Sequence, residues 1–222
     1  MPKVAVIGLG RFGTALSRRL AAAGAEVLAI DRDGRLVDEI KDEVDVAVRL
    51  DSTDRQALLA QEVDKVDAAA VAIGENFEAS LLTTVLLKQF GVERVICRAQ
   101  TSVHAEIFQQ IGADEVVQPE QETGAHLARR LANPRLVDAF RLADGLTLIE
   151  FSAPEEFQQK SLRHLAVTTM YAVSLGVRPR RQAGSDGTDV RVFSPSPEEV
   201  IQPDDILVMI GSDEALARLP KE

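Results

Sequence analysis

Three glycines near the start of the chain constrain its fold more than any other feature. Gly8, Gly10 and Gly13 have the spacing G-x-G-x-x-G and stand between an apolar run, "KVAVI", and a stretch with helical periodicity. In a strand–turn–helix unit, the first glycine allows the tight turn, the second lets backbone N–H groups approach a diphosphate, and the third lets the helix pack on the sheet. The helix N-terminus then faces the phosphates with the positive end of its dipole. This context predicts a nucleotide pocket at the turn.

Two charged residues refine the prediction for this pocket. Asp31 ends the second apolar run, 18 residues past Gly13, where a carboxylate accepts hydrogen bonds from ribose hydroxyls and repels a 2′-phosphate, so NADP is disfavoured. Arg11 lies inside the glycine loop, where the helix dipole is unfavourable for a cation. Two interpretations remain open for Arg11. Its guanidinium binds ligand phosphates, in its own pocket or a neighbouring subunit's, or it is an ordinary surface arginine.

The strand–helix alternation continues to about residue 120. Apolar runs typical of buried parallel strands occur at 3–8, 26–31, 44–51, 67–73, 93–99 and 114–119, and helical stretches separate them. Three of these helices end at a glycine, Gly24, Gly91 or Gly112, as expected for a helix C-cap. Six such repeats predict a Rossmann-like, doubly wound parallel sheet over residues 1–120.

The pattern changes after residue 120. Helical periodicity over 120–133, Pro134 and a second helical piece over 135–144 predict a helical crossover at 121–144. Beyond Gly145, turn-rich segments separate four runs that predict strands, at 146–153, 170–180, 189–195 and 205–211. A final helix is expected at 212–219, with Ser212 as its N-cap. Residues 145–222 are therefore predicted to form a second, small α+β domain.

Polar residues follow most of the predicted strands of the first domain, and this fold binds ligands at the carboxyl ends of its strands. Asp51 and Ser52 are expected to contact a base, and Gly74 permits a close approach to the ribose or base. Arg98 supplies a second cation for phosphate, and Glu120 is a carboxylate able to bind a divalent cation that bridges phosphates. The full set of candidate binding residues is Gly8, Leu9, Gly10, Arg11, Phe12, Gly13, Asp31, Arg32, Asp51, Ser52, Ile73, Gly74, Glu75, Asn76, Arg98 and Glu120.

The amino-acid composition of the chain disfavours several classes of function. The chain has 222 residues, with 25 Lys and Arg against 35 Asp and Glu. This acidic balance disfavours a nucleic-acid partner, because nucleic-acid binding depends on neutralising phosphates with cations. No apolar run approaches the ~20 residues of a membrane-spanning helix, no signal peptide precedes the first strand, and the single cysteine, Cys97, excludes an internal disulfide. These features predict a soluble, intracellular protein.

Catalytic chemistry is not apparent in the sequence. A dehydrogenase needs an acid or base beside the nicotinamide, and the second domain offers His164 and Tyr171 for that role. His104 and His126 lie on separate predicted helices without metal-ligand spacing, and Cys97 stands inside an apolar strand. The chain is therefore expected to bind a nucleotide without being an enzyme.

Together these motifs resemble a known family. The stretches "VAVIGLGRFGTAL", "VAIGENFEASLLTTVLLKQFG", "ICRAQ" and "IGADEVVQPEQETG", with the acid at 31 and a small β-rich domain, are similar to the RCK (KTN) regulatory subunits of potassium uptake systems, of the KtrA type within the wider TrkA family. The resemblance implies that 1–120 is the RCK_N domain and 145–222 the RCK_C domain. It also implies cytoplasmic dimers that exchange crossover helices and assemble into octameric rings beneath a membrane K⁺ channel subunit of the KtrB/TrkH type.

The resemblance assigns roles to the pocket residues. It implies that ATP and ADP compete for the pocket, with NAD(H) bound in some relatives, and that the bound nucleotide sets the ring's shape. The loop glycines, Arg11 and Arg98 would face the phosphates, and Asp31 would face the ribose. Asp51 and Ser52 would face the base. Glu120 would lie beside a divalent cation such as Mg²⁺ or Ca²⁺.

Other functions remain open at this point. In some relatives the second domain binds cyclic di-AMP, an anion, yet Thr168 stands where those relatives often carry an arginine. This departure disfavours cyclic di-AMP, although Arg178 and Arg180 are cations that could replace the missing one. The alternatives from other classes are an NAD(H)-binding, TrkA-like redox sensor and a small NAD-dependent oxidoreductase. Preference for ATP and ADP over NADH argues against the sensor, and turnover of NADH would support the enzyme.

Overall fold

The strand–helix alternation and the β-rich pattern that follows it fold as two units. The computed structural model describes residues 1–143, 145–165, 174–178, 196–203 and 205–219. The chain divides into Met1–Glu122 and Thr123–Glu222. The predicted strand at 189–195, together with Thr168, Tyr171 and Arg180, lies outside the described residues.

The first unit contains the predicted doubly wound sheet. Its six strands are all parallel and lie in the order β3-β2-β1-β4-β5-β6. They are β1 (Lys3–Ile7), β2 (Glu26–Asp31), β3 (Val46–Arg49), β4 (Ala68–Val71), β5 (Arg94–Arg98) and β6 (Glu115–Val117). The strand order reverses between β1 and β4, and this switch point is where doubly wound sheets bind their ligands.

Helices follow each strand of the sheet. They are α1 (Arg11–Ala22), α2 (Gly34–Ile40), α3 (Arg55–Ala60), α4 (Phe77–Phe90), α5 (Ser102–Gln110) and α6 (Pro119–Ala132), with a short 3-10 helix at Val63–Lys65. Four of them begin with a side-chain cap, from Asp33, Asp54, Asn76 and Thr101 on α2 to α5 respectively. The sequence-predicted helices and strands of this half are confirmed, with ends that differ by a few residues.

The core of the first unit covers both faces of the sheet. On one face, Ile7 and Ile30 pack with Leu58, Leu87 and Phe108 from the helices. A second cluster, which includes Leu9, lies among β1, β2, α1 and α2. The lone cysteine, Cys97, is fully buried in the first of these clusters, as its apolar strand predicted.

The second unit is built on an antiparallel sheet with the order β7-β8-β10-β9. Its strands are β7 (Leu136–Ala143), β8 (Leu146–Ser152), β9 (Ser174–Arg178) and β10 (Ile206–Ser212). The helices are α7 (Leu162–Leu165) and α8 (Asp213–Leu216), with a 3-10 helix at Glu155–Phe157. Ser212 caps α8 as predicted, because its hydroxyl accepts the backbone N–H of Ala215.

The prediction of a helix over 135–144 is wrong, because this segment forms β7. Its apolar residues Leu136, Ala139, Phe140 and Ala143 have helical spacing, yet β7 pairs with β8 along its length. Register shifts at Leu136/Asp138 and Arg141/Ala143 break the period-2 alternation that would have revealed a strand. The pair Asp-Gly at 144–145 is a hairpin signal, and Gly145 has φ +71°. The predicted helical crossover is therefore helical only through α6.

Candidate nucleotide site

A cavity of about 1010 Å³ opens at the carboxyl ends of the parallel strands of the first unit. It lies where the doubly wound fold predicts a ligand. All but two of the sequence-predicted site residues line it: Gly8, Gly10, Arg11, Phe12, Asp31, Arg32, Asp51, Ser52, Ile73, Gly74, Glu75, Asn76, Arg98 and Glu120. Residues from five strand ends and the start of α6 thus converge on one space.

The two exceptions, Leu9 and Gly13, are buried in the protein and do not line the cavity. Leu9 is 1% exposed and packs in the core beneath the loop. A Cβ at Gly13 would overlap the carbonyl oxygen of Gly8, so this glycine is required for α1 to approach β1. Both residues therefore support the glycine loop from the interior of the protein.

The three glycines of the loop are required for different reasons. Gly8 has φ +99°, and a Cβ there would lie 2.8 Å from the backbone nitrogen of Ile73, so the protein itself demands glycine. Gly10 has an ordinary φ of −64°, and a Cβ there would meet nothing within 4 Å. The packing of the chain therefore gives no reason for glycine at position 10. A ligand that approaches this backbone closely does give one.

The start of α1 is also unlike that of the next four helices. Its N-cap is Gly10, which makes no side-chain cap, whereas each of the other four has one. Its first turn, like those of α2, α3 and α5, contains no acidic residue. Free N–H groups at a helix start carry partial positive charge and bind anions such as phosphate. Arg11, on the same turn, is exposed and lines the cavity. This end of the cavity is suited to a diphosphate.

The carboxylate of Asp31 supports the glycine loop. Its Oδ2 accepts the backbone N–H of Leu9 at 2.6 Å, and its Oδ1 accepts the backbone N–H of Asp33 at 2.8 Å. Each carboxylate oxygen retains a further lone pair, so the same group is able to accept ribose hydroxyls. The glycine loop therefore helps to hold Asp31 in place, and Asp31 is predicted to bind the ribose of the loop's ligand.

The loop after β3 lines the cavity with Asp51 and Ser52, the two residues predicted to contact a base. The Oδ1 of Asp51 accepts hydrogen bonds from the hydroxyl of Thr53 at 2.7 Å and from its backbone N–H at 2.9 Å. These bonds hold the pKa of Asp51 below its usual value, so the carboxylate is charged at neutral pH. The hydroxyl of Ser52 is buried and bonds to that of Thr83 on α4 at 2.8 Å. Ser52 thus anchors the loop to α4.

An ion pair between β5 and α6 forms part of the cavity wall. Arg98, at the end of β5, donates from Nη2 to Oε1 of Glu120 on α6 at 2.5 Å. The hydrogen bond from Arg98 and the nearby positive charges of Arg98 and Arg11 lower the pKa of Glu120. Gly74, predicted to allow a close approach of the ligand, lines the cavity, and the guanidinium of Arg98 lies against its Cα. A side chain at position 74 would require this guanidinium to move.

Sequence reasoning missed several residues of the cavity wall. The polar ones are Asp33, Thr53, Glu78 and Gln100, and the apolar ones are Ile7, Ile30, Leu36, Leu50, Ala72, Ala79 and Leu82. Most of them adjoin a predicted site residue in sequence, so extending each predicted loop by a residue or two would have found them. Leu36, Ala79 and Leu82 project from helices instead, and their place depends on tertiary packing.

The charges of the wall bear on which ligand fits. Among the described residues, six carboxylates and three guanidiniums line the cavity: Asp31, Asp33, Asp51, Glu75, Glu78 and Glu120 against Arg11, Arg32 and Arg98. Within the described ranges, no group of three or more His, Cys, Asp or Glu is arranged to hold a metal ion. A cation at Glu120 would therefore need ligand oxygens, such as those of phosphates, to complete its coordination.

Other reactive side chains of the first unit lie away from the cavity wall. Burial raises the pKa of the Cys97 thiol to about 11, which leaves it protonated and unreactive at neutral pH. The imidazole of His104 stacks on Phe77, with the ring centroids 3.9 Å apart.

In the part of the chain that the structure describes, no helix is both long and apolar enough to span a bilayer.

Comparison with known proteins adds independent findings. Residues 4–119 match the TrkA-N domain family. The chain is 35% identical over 217 residues to the Ktr system potassium uptake protein C of Bacillus subtilis (strain 168), covering 98% of this chain and 95% of that protein. The Ktr system potassium uptake protein A of the same organism is 32% identical over 218 residues, covering 98% and 95%.

The fold has counterparts among solved structures. The GsuK channel superposes with a TM-score of 0.67 at 17% identity, over 97% of this chain and 38% of the channel chain. A structure described as the GsuK channel bound to NAD gives a TM-score of 0.65, also at 17% identity and over the same shares of the two chains. At this identity the likeness concerns the fold alone, and this chain spans well under half of the channel chain.

Proposed function

The chain belongs to the TrkA-N domain family, as a KtrA-like relative of the Ktr potassium uptake proteins, and on this premise we propose that it is a regulatory subunit that binds adenine nucleotides and gates a membrane K⁺ channel subunit. Its full-length relatives, 32% and 35% identical, are potassium uptake proteins by name. The proposed partner is a membrane subunit of the KtrB/TrkH type, and the proposed location is the inner face of the cell membrane. The chain would act by binding and shape change, without catalysis.

The observation that carries the proposal is the open space at Gly10. A glycine with ordinary backbone angles and no neighbour for its Cβ is explained by a ligand that lies against the backbone. That ligand would be a diphosphate, because α1 begins there without a side-chain cap or an acidic residue. Asp31 would bind the ribose and Asp51 the base.

ATP and ADP are the proposed physiological ligands. Differential affinity for two shapes of the ring is what allows a ligand to shift the equilibrium between them. ATP and ADP differ by one phosphate, so the residues that face this phosphate would carry the signal. Arg11 and Arg98 are cations of the cavity wall available for that role, and Glu120 would share a divalent cation such as Mg²⁺ or Ca²⁺ with phosphate oxygens.

Self-association is part of the proposal. Helix α6 has no buried residue among those described, and two of its leucines, Leu127 and Leu131, are 49% and 75% exposed. Phe140 and Leu142 on β7 are also more than half exposed. A second copy of the chain would cover these apolar side chains in a dimer, and dimers would assemble into a ring, which in the family is commonly an octamer. Residues 1–120 and 145–222 would be its RCK_N and RCK_C domains.

The second candidate is an NAD(H)-binding redox sensor. The cavity volume of about 1010 Å³ is at the upper limit of ordinary ligand pockets, which leaves room for a dinucleotide. Asp31 suits the ribose of NAD as well as that of ATP. Ligand preference therefore separates the two candidates.

A titration of the purified chain with ATP, ADP, NADH and NAD⁺ tests the proposal. Each ligand is measured by calorimetry and by thermal shift, with Mg²⁺ and with EDTA, since a ligand of the folded state raises its stability. We expect binding of ATP and ADP, with a Mg²⁺ effect on ATP. Binding of NADH alone would favour the redox sensor, and steady oxidation of NADH would favour an oxidoreductase. Co-purification with a membrane K⁺ channel subunit tests the partner.

A further inference from the structure

The ion pair between Arg98 and Glu120 joins two residues of very different exposure. The side chain of Arg98 is 14% exposed, whereas that of Glu120 is 63% exposed. Within the described residues, the buried Nε of Arg98 has no hydrogen-bond partner, and its Nη1 side lies against Gly74. Arg98 is therefore held at the cavity wall, whereas the carboxylate of Glu120 is accessible to solvent.

A mostly buried guanidinium needs a negative partner. Removing water from a cation is costly unless a carboxylate or phosphate replaces it, and guanidinium binds either one through charge-assisted hydrogen bonds. Glu120 serves this purpose in the structure. An anionic group of a ligand could take its place at low cost, because the released carboxylate would be hydrated on the surface.

The sheet topology decides which part of a ligand reaches Arg98. The ribose is expected at Asp31 on β2 and the diphosphate at the glycine loop after β1, whereas Arg98 ends β5, two strands beyond β1. Adjacent strands lie about 4.8 Å apart, so Arg98 is about 10 Å further along the same edge. A ligand that extends in this direction from the ribose would place its far end there. In ATP that end is an anionic phosphate, in NADH it is an uncharged ribose and nicotinamide, and ADP ends sooner.

We propose that the Arg98–Glu120 pair discriminates among nucleotides by the charge of the far end: a distal phosphate replaces Glu120 on Arg98, and shorter or uncharged ends leave the pair intact. This inference rests on the proposed nucleotide function of the cavity. Arg98 would then be a specificity-determining residue beside Arg11, and Glu120 the carboxylate that a triphosphate displaces from Arg98. The displaced carboxylate would be free to share a divalent cation with the phosphates where one is present.

Displacement of Glu120 from Arg98 would also affect residues outside the cavity. Glu120 is in the first turn of α6, and this helix continues to Ala132, past the division between the two units at residue 122. Displacing Glu120 removes the ion pair that ties this turn to β5. The first hydrogen-bonded amides of α6, from Glu122 onwards, would therefore become less protected from exchange when ATP binds and would stay protected with ADP.

The variant Glu120→Gln tests the competition directly, with Glu78→Gln as its matched control. Both changes remove one carboxylate charge from an exposed residue of the cavity wall, but among the described ion pairs Arg98 pairs with Glu120. Affinities for ATP, ADP and NADH are measured in EDTA, so that no divalent cation uses Glu120. We expect Glu120→Gln to raise the affinity for ATP about three- to tenfold, with little change for ADP and NADH. Glu78→Gln should act alike on ATP and ADP.

Three outcomes are distinguishable. If Glu120→Gln raises the affinities for ATP and ADP equally, or lowers that for ATP, the competition is disproved while nucleotide binding stands. If the wild-type chain binds none of the three ligands, the proposed function fails first and this inference with it. A selective gain for ATP supports the inference, and the gain should disappear in an Arg98→Gln background.

Hydrogen exchange supplies a readout that needs no ligand. The amides of 122–126, which make the first hydrogen bonds of α6, are followed in the wild-type chain and in Glu120→Gln, both without nucleotide. Faster exchange in the variant, matched by the wild-type chain when ATP is added, supports a tether that ATP releases. Equal exchange in the two ligand-free proteins would overturn the tether even if the affinities behave as expected.

Discussion

The carboxylate of Asp31 accepts the backbone N–H of Leu9 at 2.6 Å, so the residue predicted to bind a ribose also fastens the glycine loop. The pairing of β1 with β2, which sets Ile7 opposite Ile30, brings the two residues together. The bond joins the loop that follows β1 to the residue that ends β2. Loop geometry and the proposed ribose recognition would therefore be coupled through one side chain.

The variant Asp31→Asn should weaken both the fold and the site. An amide presents an N–H₂ group to one of the two backbone donors, at Leu9 or Asp33, and an unmatched donor pair costs about 1–3 kcal/mol. Urea unfolding without nucleotide, followed by circular dichroism because the chain has no tryptophan, measures this loss. Asp51→Asn is the control, since its bonds are local to Thr53. A ligand-free stability equal to wild type would contradict the loop-fastening role.

Substitutions of Gly8 and Gly10 should differ in their effects on stability and on nucleotide affinity. Gly10→Ala should cost about 1 kcal/mol or less, because a Cβ there meets nothing and alanine is only a poorer N-cap. Its affinity for ATP and ADP should nevertheless fall at least tenfold, since the Cβ would stand where a diphosphate lies. Gly8→Ala should lower the free energy of unfolding by about 2 kcal/mol or more, because position 8 has φ +99° and a Cβ there would clash with the backbone of Ile73. Equal affinities of Gly10→Ala and wild type would remove the main support for the site.

The sequence sufficed for the sheet and for most of the cavity wall, because both follow from local patterns. Apolar runs, glycine-ended helices and the rule that ligands bind at strand ends predict which residues converge. Roles that depend on a neighbour in space could not be read in this way. The sequence did not predict that the guanidinium of Arg98 lies against Gly74, or that the hydroxyl of Ser52 bonds to that of Thr83. The helix expected at 135–144 failed for a related reason, since the β-bulges of β7 appear only once β8 is its partner.

Acid should weaken the edge of the first sheet through Asp114. Its carboxylate accepts the backbone N–H of Val95 at 2.7 Å and pairs with Lys88 at 2.9 Å, and these contacts lower its pKa from 3.8. A lowered folded-state pKa contributes stability that is present above the unfolded value and is lost as pH falls through the folded one. The difference in unfolding free energy between wild type and Asp114→Asn should therefore be constant from pH 7 to about pH 5 and shrink towards pH 3. A difference that grows on acidification would contradict this assignment.

Removal of the Arg11 guanidinium should affect ATP more than ADP. Arg11 is exposed at the cavity wall on the first turn of α1, and contact with the terminal phosphate would be a charge-assisted hydrogen bond. We expect Arg11→Ala to lower the affinity for ATP about tenfold and that for ADP about twofold or less, by calorimetry. Arg18→Ala is the control, since its guanidinium is paired with Glu43 away from the cavity. An equal loss for both nucleotides would rule out a role specific to the terminal phosphate.

A charge on the exposed face of α6 should prevent self-association. Leu131 is 75% exposed, and a carboxylate buried without a partner in an interface costs several kcal/mol. Leu131→Glu should therefore shift the chain from dimer or larger ring to monomer in analytical ultracentrifugation, while circular dichroism and nucleotide binding to a single copy are kept. Arg130→Glu, on the same helix and also exposed, controls for the added negative charge. If Leu131→Glu assembles as wild type does, another surface joins the copies, and α6 must be covered by a different partner.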